Sequence, residues 1–436
     1  MSYMLTQLPG ALSQGVVLDI TSDGTTSQAV SASTSYTKPP SDPLAPQPKT
    51  PVAIAPTPSV PTTLIDVLQT LGTAMLPPLH VQQGLAHWHW SLVRYGYLLD
   101  RAPTTGALAT NALAGDYRHH HMTALSEAIG VGCALSYAVE WLREASNGAI
   151  VHTPIDFDYL LGGGVPQLAG PAGQLNVAHA AHTSRHPDYL LAAEQNGQVR
   201  LLIVECKGNS AAGQSKSLDQ LGSAMHQLEG VEFGGGPGTP PGVDKHAYAT
   251  RMTKVGGPVE IIGIDPPDSK ERWVRPVVPS REDRRPIGEH LEGGRLLLPP
   301  VDEVGGHLLR RVEDRVVAWA GEGPIRTPDG LAASVRTDSD HGDLTGSSSR
   351  VTLADGSSLE VFTGALVEAL ATAQDPDPEA ASARRSEMRR SIVEGDDRGA
   401  LSRRDRRNRR IHEDEDPERV ASALSEDGLA LRISVS

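Results

Sequence analysis

Two carboxylates and a lysine fall close together on one stretch of the chain, residues 187 to 207. Asn196-Gly197 predicts a two-residue hairpin turn, because both central positions of a type I′ turn need a positive φ angle. Counting outward from this turn places Asp188 directly opposite Glu205. Side chains alternate along a strand, so Lys207 lies on the same face as Glu205. Opposed carboxylates destabilise a hairpin unless positive charge lies between them. A divalent metal ion with the Lys207 ammonium would supply that charge, and the sequence therefore predicts a metal site.

This stretch resembles the active site of the PD-(D/E)XK nuclease superfamily, which has the restriction-endonuclease-like fold. Pro187-Asp188 corresponds to the Pro-Asp that these enzymes carry at one strand, and Glu205-Cys206-Lys207 to the acid-x-Lys at the end of the next. The resemblance covers about a third of the chain, roughly residues 120 to 265. The apolar run Leu201-Leu202-Ile203-Val204 is typical of a strand covered on both faces, where unpaired charge is costly. The alternative is a surface hairpin on which Glu205 and Lys207 pair with each other or with solvent.

The resemblance implies a chemistry for each residue of the motif. Asp188 and Glu205 would bind Mg²⁺ or Mn²⁺, with the backbone carbonyl of Cys206 as a third oxygen. A few hard oxygen ligands suit Mg²⁺, which keeps several waters and takes its remaining ligands from a phosphate. The metal would polarise the scissile phosphate and lower the pKa of a bound water. Lys207 would orient that water and offset the charge that develops on the phosphorane.

Two helical residues are candidates to complete the site. Glu127 lies early in a predicted helix over residues 122 to 144, with Thr123 as its N-cap, and heads an apolar stripe that faces the core. In the resembling superfamily a helix at this point often adds one acid, directly or through water. The alternative is an acid favoured in the first turn by the helix dipole. Gln220 lies on a predicted helix over residues 214 to 228, where some families place a glutamine near the lysine or the scissile phosphate. The alternative there is an ordinary polar helix face.

Other metal chemistries find little support in the sequence. The sixteen histidines include His87 and His89 and the run from His119 to His121. Neither group has the i, i+4 histidine pair with an intervening acid that a helical zinc site needs. Two cysteines, Cys133 and Cys206, cannot form a disulfide framework or a four-cysteine metal site. A reducing cytoplasm is the expected location.

Composition and charge restrict the classes of protein. The net charge of −14 over 436 residues excludes a protein that coats nucleic acid by bulk electrostatics, although a local basic groove remains compatible with a nuclease. No apolar stretch is expected to span a membrane, and the N-terminus shows no secretory signal. Only 7 of the 39 basic residues are lysine. This bias indicates a GC-rich genome such as that of an actinobacterium, and so a bacterial protein.

The pattern predicts an α/β fold with a restriction-endonuclease-like αβββαβ core, an N-terminal helical region and a small C-terminal α/β region. In the core we expect a helix, a strand somewhere between residues 156 and 180, the hairpin, a second helix and a last strand over residues 257 to 264. Residues 384 to 410 hold 11 arginines against 5 acids, and such charged blocks are usually solvated. The expected regions are a disordered Ser/Thr/Pro-rich N-terminus (1–62), a helical region (63–118), the nuclease-like core (119–265), a small α/β region (266–372) and an Arg-rich, then acidic, tail (373–436).

These features predict a Mg²⁺-dependent endonuclease that hydrolyses phosphodiester bonds, most of all in DNA, in restriction, repair or defence. Nucleic acid is the expected partner, no membrane is expected, and a homodimer is compatible with cutting both strands. A catalytically silent nuclease-like scaffold that binds nucleic acid or protein is the alternative. A third possibility, an α/β interaction protein with a chance motif, would require that residues 120 to 265 do not form one sheet.

Overall fold

A computed structural model shows a mixed α/β protein. It describes residues 5–38, 48–56, 59–75, 89–116, 119–161, 168–169, 174–175, 187–211, 213–234, 243–252, 256–266, 272–279, 287, 290–292, 295–320, 333–337, 339–353, 355–375, 377–394 and 416–436. The helices are α1 (Leu8–Leu12), α2 (Gly24–Ser31), α3 (Thr34–Thr37), α4 (Leu64–Met75), α5 (His119–Ala145), α6 (Phe157–Leu161), α7 (Ser215–Glu229), α8 (Val301–Trp319), α9 (Val367–Gln374) and α10 (Pro378–Glu394). Residues 89 to 96 are also helical, and Ala112–Asp116 forms a 3-10 turn.

The strands form six sheets in the described part of the chain. They are β1 (Gly15–Leu18), β2 (Ile20–Thr21), β3 (Val60–Thr63), β4 (Leu99–Arg101), β5 (Leu108–Thr110), β6 (Ile150–Val151), β7 (Ile155–Asp156), β8 (Leu168–Ala169), β9 (Gln174–Leu175), β10 (Tyr189–Gln195), β11 (Gln198–Asn209), β12 (Val231–Gly234), β13 (Val243–Met252), β14 (Val259–Ile264), β15 (His290–Glu292), β16 (Arg295–Pro300), β17 (Ala333–Thr337), β18 (Leu344–Thr352), β19 (Ser358–Leu366), β20 (Val420–Leu424) and β21 (Leu429–Val435).

A seven-stranded central sheet carries the predicted hairpin. Its order is β2-β14-β13-β11-β10-β6, and β7 also pairs with β10. The hairpin strands β10 and β11 are antiparallel, whereas β11 and β13 are parallel and are joined through α7. Parallel neighbours need such a crossover connection, because a tight turn cannot bring the chain back in the same direction.

Alternate residues of β11 pack against different helices. Leu201 and Ile203 lie in one hydrophobic core with Met225 of α7, and Leu202 and Val204 lie in another with Tyr137 of α5. This is the period-two alternation expected for a strand with both faces covered. The continuous apolar run is therefore buried on both sides, as the sequence predicted. Glu205 and Lys207 follow the α7 face, whereas Cys206 follows the α5 face.

A second sheet, of order β17-β18-β19-β21-β20, packs against the first core. Leu431 and Ile433 of β21 belong to the same core as Leu64 of α4 and the N-terminal Leu8, while Leu366 and neighbouring residues pack with α8 and α9. Gln69 Nε2 of α4 donates to the backbone oxygen of Ala423 over 3.2 Å. Residues from both ends of the chain thus build one core.

Several sequence expectations are corrected within the core region. The strand before the hairpin is formed by β6 and β7 at residues 150 to 156, earlier than expected, because these two short pieces pair with opposite ends of β10. The strand over residues 257 to 264 exists as β14, but the neighbour of β11 is β13, which the sequence pattern missed. Helix α5 begins at His119, so Thr123 lies inside it and is not its N-cap.

The predicted region boundaries also change. The described residues of 1–62 contain helices and strands, including β2 in the central sheet, so the expected disorder is wrong there. Residues 63–118 include β4 and β5 as well as helix. Within 373–436 the structure shows α10, β20 and β21, and the two strands are buried. The physical reason is the same in each case: packing against distant segments overrides a local composition that favours loops.

One helix passes a simple test for a membrane span. Within residues 121 to 145 of α5, an 18-residue stretch has a mean hydropathy of 1.3, and 67% of that stretch is buried inside the fold. The expectation that no stretch is apolar and long enough to span a bilayer is therefore corrected. The apolar residues of α5 pack against the central sheet.

Candidate active site

The hairpin has the register that its turn predicted. Asn196 and Gly197 have φ angles of 53° and 69°, and Gln195 pairs with Gln198. The pairing continues to Tyr189, which faces Val204, so Asp188 comes opposite Glu205 at the next position. All three charged groups of the motif therefore lie at one end of the hairpin, on the face that α7 covers.

Asp188 is fixed by two backbone contacts. Its carboxylate oxygen Oδ2 accepts the Cys206 N–H over 2.8 Å, and its own carbonyl accepts the Phe157 N–H over 2.9 Å. In a strand the N–H and C=O of one residue point toward the same edge. The Cys206 carbonyl therefore points toward Asp188, as a third oxygen ligand would require. The Cys206 side chain packs in the core on the α5 face, which confirms that its thiol is a packing group.

Glu205 is fully buried and is the most perturbed acid of the motif. Desolvation raises the pKa of Glu205 to about 8, and the nearby Asp188 adds to the rise, while Lys207 opposes it. Apart from an ion pair with Lys207, the described residues give neither carboxylate oxygen a hydrogen-bond partner. Burial also raises the pKa of Asp188, against the opposing effect of Lys207. The Lys207 ammonium therefore does not fully offset the cost of ionising the two acids, and the pKa of each stays raised.

Lys207 stays positively charged in this setting. Burial acts to lower the pKa of Lys207, but Glu205 and Asp188 outweigh it and the pKa is raised. The side chain retains 24% exposure, so the ammonium can meet a ligand that approaches from solvent. When both acids are ionised, two carboxylates and one fixed cation leave a net negative charge, which a hard cation would neutralise in place of the Glu205 proton.

The donor set fits Mg²⁺ or Mn²⁺ in number and chemistry. Asp188, Glu205 and the Cys206 carbonyl offer hard oxygens, and a fully buried carboxylate that faces a second acid is the observation that favours a cation there. Within the described ranges no three His, Cys, Asp or Glu side chains form a cluster that could hold a metal. An ion at this point would therefore keep several waters, as Mg²⁺ does.

Glu127 is not brought to the two carboxylates. It lies on α5, which covers the opposite face of the sheet, and its side chain is exposed. Its backbone does approach the strand, because a Cβ added to Gly208 would lie 2.6 Å from the Glu127 Cα. The apolar stripe predicted to follow Glu127 does face the core, where Ala134 and Ala138 are buried, but Glu127 itself is exposed and the expectation for it is corrected. The dipole alternative is wrong as well, because α5 begins at His119, two turns earlier.

Gln220, in contrast, reaches the strand next to Lys207. Its Nε2 donates to the Gly208 carbonyl over 3.3 Å, and its Oε1 accepts from Asn209 Nδ2 over 2.7 Å. The side chain is half-buried on α7. The structure thus joins Gln220 to the motif, and it does so through Asn209, a residue that the sequence reading missed. The available signal was alternation, because Asn209 follows Lys207 by two positions.

Two further acids lie near Asp188. Asp156 of β7 pairs with Tyr189, and Asp158 follows Phe157 on the α7 side of the sheet. Burial raises the pKa of Asp156, and Asp158 and Asp188 both contribute to the rise. These two acids were not among the predicted site residues, because the strand before the hairpin was expected later in the chain.

The histidines do not build a metal centre in the described chain. His89 is buried, with its ring nitrogens 2.9 Å from Ser349 Oγ and 2.8 Å from Thr363 Oγ1. Desolvation lowers the pKa of His89 to about 3, so the ring is neutral and acts as a packing group. His87 lies outside the described residues, and His121 is exposed on α5.

Comparisons with known proteins add no relative: no family model matches the chain, and neither a curated protein nor a solved structure is significantly similar to it.

Proposed function

We propose that this protein is a metal-dependent nuclease of the PD-(D/E)XK type that hydrolyses phosphodiester bonds, most of all in DNA. The observation that carries the proposal is the pair of opposed carboxylates, the half-buried Asp188 and the fully buried Glu205, with Lys207 on the same face of one hairpin. A binding scaffold gains nothing from two desolvated acids that repel each other. A site that must hold a cation beside a phosphate does.

The order of elements supports the same proposal. Helix α5 is followed by β6 and β7, the hairpin, α7 and β13, with β13 parallel to β11. This order is compatible with the αβββαβ core that the resemblance implied, with Asp188 just before β10 and with Glu205 and Lys207 in β11. Strands β6, β7, β10, β11, β13 and β14 lie in one sheet, whereas β8, β9 and β12 pair elsewhere, and the common sheet around the motif supports the proposal over a chance motif.

Each residue has a role in the proposed reaction. Asp188, Glu205 and the Cys206 carbonyl would hold the metal, which when bound supplies Lewis acidity and a water of lowered pKa. Asp188 is kept in place by the Cys206 N–H. Lys207 orients the attacking water and offsets the charge that grows on the phosphate oxygens. Because Lys207 is held as a cation by both acids, it acts as a charge and not as a base.

The proposal is tested by cleavage assays with Mg²⁺ and Mn²⁺ on plasmid, single-stranded DNA and RNA. Lys207→Ala and Asp188→Ala should lower the cleavage rate by about 10²-fold or more, with the melting temperature little changed. Lys38→Ala, at an exposed lysine beyond α3, is the matched control and should cleave like the wild type. Wild-type rates in both site variants would overturn the site assignment.

The same assays separate the scaffold alternative from the nuclease. Glu205 and Lys207 form an ion pair with each other, an arrangement that a silent domain could also keep. A silent scaffold would bind nucleic acid or protein without metal-dependent cleavage of any of the three substrates. A bacterial cytoplasm as the location and a homodimer that cuts both strands belong to the same proposal.

A further inference from the structure

The amide of Gln220 is held in one orientation by a chain of hydrogen bonds on the α7 face. The N–H of Ala211 donates to Asn209 Oδ1 over 3.1 Å. A backbone N–H can only donate, so this bond fixes which end of the Asn209 amide is oxygen. Asn209 Nδ2 then faces α7, where it donates to Ser217 Oγ over 3.0 Å and to Gln220 Oε1 over 2.7 Å.

The orientation of Asn209 decides the orientation of Gln220. Because Gln220 gives its oxygen to Asn209, its Nε2 must point the other way, and one of its two N–H groups donates to the Gly208 carbonyl over 3.3 Å. That carbonyl points toward the same edge of β11 as the Cys206 N–H, which binds Asp188, since alternate residues of a strand repeat their direction. The second N–H of Gln220 is bonded to no described residue.

Asn209 and Gln220 differ in burial, and this difference decides which of the two side chains can meet a ligand. Asn209 is only 1% exposed and fully hydrogen-bonded, so it cannot reach a ligand itself. Gln220 is half-buried and is bonded to the carbonyl of Gly208, the residue that follows the partly exposed Lys207. A neutral N–H donor beside a lysine is suited to a non-bridging phosphate oxygen, which only accepts hydrogen bonds.

We infer that Asn209 is a positioning residue that makes Gln220 a donor, and not an acceptor, toward a non-bridging oxygen of the substrate phosphate beside Lys207. This inference rests on the proposed nuclease function. It predicts different effects on cleavage for substitutions at Asn209 and at Ser217, since of these two side chains Asn209 is the one hydrogen-bonded to the Gln220 side chain.

The test compares kcat/KM for DNA cleavage in four variants. Asn209→Asp replaces the donor by an acceptor of the same shape and should rotate the Gln220 amide, which lowers kcat/KM about ten- to hundredfold, the value of one hydrogen bond to a charged group. Gln220→Ala should lose about as much. Ser217→Ala removes only the other acceptor of Asn209 and should stay close to the wild type. The double variant Asn209→Asp with Gln220→Ala should be no worse than Gln220→Ala alone.

The double variant also excludes a direct effect of the introduced charge. If the carboxylate simply repelled the phosphate, Asn209→Asp would lower kcat/KM further in the Gln220→Ala background, and this result would overturn the inference. A second signature is the pH profile. At low pH the introduced carboxyl is protonated and can donate again, so the ratio of Asn209→Asp to wild-type activity should rise as the pH falls, but only when Gln220 is present.

The outcomes distinguish this inference from the function on which it rests. Cleavage by the wild type with unimpaired Asn209→Asp overturns the positioning role and leaves the nuclease proposal standing. No cleavage of plasmid, single-stranded DNA or RNA by the wild type overturns both. If Asn209→Asp fails to fold, Gln220→Glu replaces it, because this variant keeps an acceptor for Asn209 and loses the N–H toward phosphate. Wild-type kcat/KM in Gln220→Glu would then overturn the inference.

Discussion

Glu205 shows at the scale of a single residue why the motif is costly without a ligand. A carboxylate with no exposed surface is desolvated, and the only charge that compensates it is the Lys207 ammonium beside it. A pKa of about 8 means that in neutral, metal-free solution the proton stays on this side chain for most of the time. A metal ion must displace that proton before it can bind.

Metal binding is therefore expected to release a proton. Below pH 8 the apparent affinity for Mg²⁺ should fall as the pH falls, by up to about tenfold per pH unit for one displaced proton. Calorimetric titrations in buffers of different ionisation enthalpy measure the number of protons released. Glu205→Gln should release fewer, whereas Asp100→Asn, at an exposed acid, should match the wild type. Equal proton release in all three proteins would show that Glu205 is not a ligand.

The same group should make the metal-free protein less stable as the pH rises. Since the pKa of Glu205 is raised on folding from 4.5 to about 8, its stabilising effect is complete below 4.5 and is lost as the pH rises toward 8. For one such group the slope is at most about 1.4 kcal/mol per pH unit. Urea denaturation in EDTA should show a flatter pH dependence for Glu205→Gln than for the wild type. Asp188→Asn should also raise the metal-free stability, because it removes the facing charge. Parallel curves for all three proteins would contradict the repulsion.

At this scale the sequence predicted what alternation and a tight turn determine. Asp188, Glu205 and Lys207 were assigned to one face because their spacing from Asn196-Gly197 fixes it. Glu127 was misplaced because a helix pattern does not tell which face of the sheet the helix covers, and α5 covers the face opposite the two carboxylates. Asn209 was missed because its hydrogen-bond partners lie on α7, and the local sequence does not show that α7 packs against β11.

At the scale of secondary-structure elements, the close contact between α5 and β11 depends on the small residue Gly208. A Cβ at Gly208 would collide with the Ser126 carbonyl oxygen, and would lie 2.6 Å from the Glu127 Cα, both of them backbone atoms that cannot rotate away. Gly208 immediately follows Lys207. The position of the lysine therefore depends on how closely the helix can lie on the strand.

Gly208→Ala should disturb both stability and the site. We expect a loss of about 1–3 kcal/mol, the usual cost of an inserted methyl in a packed contact, and a fall in cleavage as the end of β11 shifts. Gly24→Ala is the control, because nothing lies within 4 Å of its added Cβ and Gly24 is an exposed residue at the start of α2. Chemical denaturation measures the loss. An unchanged stability in Gly208→Ala would mean that the helix and strand can separate without cost.

The elements with a clear period were predicted, and those without one were not. Helix α7 and the strands of the hairpin follow the apolar pattern of their sequences. Strand β13 was missed because it places Asp244, Lys245 and His246 among its buried or half-buried residues. Asp244 forms an ion pair with Arg200 at 2.6 Å, and Lys245 donates to the carbonyl oxygens of Leu228 and Val231. Hydrogen-bond partners on other elements satisfy these polar groups, and a local sequence pattern does not predict such partners.

On the scale of the whole molecule, a buried polar network joins the hairpin to the second sheet. His152 lies between two carboxylates, 2.8 Å from Asp427 Oδ1 and 2.9 Å from Glu194 Oε2. Burial lowers the pKa of His152, but Asp427 and Glu194 outweigh this effect and raise it. Arg385 of α10 lies 3.7 Å from Glu194. Strand β10, which begins one residue after Asp188, is thus anchored to residues near both β21 and α10.

Removing residues 416–436 should therefore unfold the protein. The deletion removes β20, β21 and Asp427, together with the core residues Leu431 and Ile433, and it exposes core residues of α4 such as Leu64 and Leu68. We expect no cooperative thermal transition in the truncated protein. Asp427→Asn, which keeps both strands, should fold and lose only part of the stability. A cooperative melt near that of the wild type after truncation would contradict this packing.

The arginine-rich segment can be tested without disturbing these strands. Arg403, Arg404, Arg406 and Arg407 lie in the block of 11 arginines, the densest positive charge of an acidic chain. Replacing the four by Gln should weaken DNA binding and make its salt dependence shallower, by a log–log slope of about 0.9 for each lost phosphate contact. Anisotropy titrations at several salt concentrations measure the slope, and the cleavage rate of bound DNA should change little. An unchanged slope would place the contacts elsewhere.

The place of β21 in the second sheet has a consequence for biosynthesis. The strand lies between β19 and β20 and shares a core with α1 and α4, which are made hundreds of residues earlier. Until the ribosome has translated β20 and β21, that core lacks one of its walls, and Asp427 does not yet hold His152 against the hairpin. The apolar helices made earlier stay partly uncovered until these strands pack against them. The proposed cleavage activity should therefore appear only after β21 has left the ribosome.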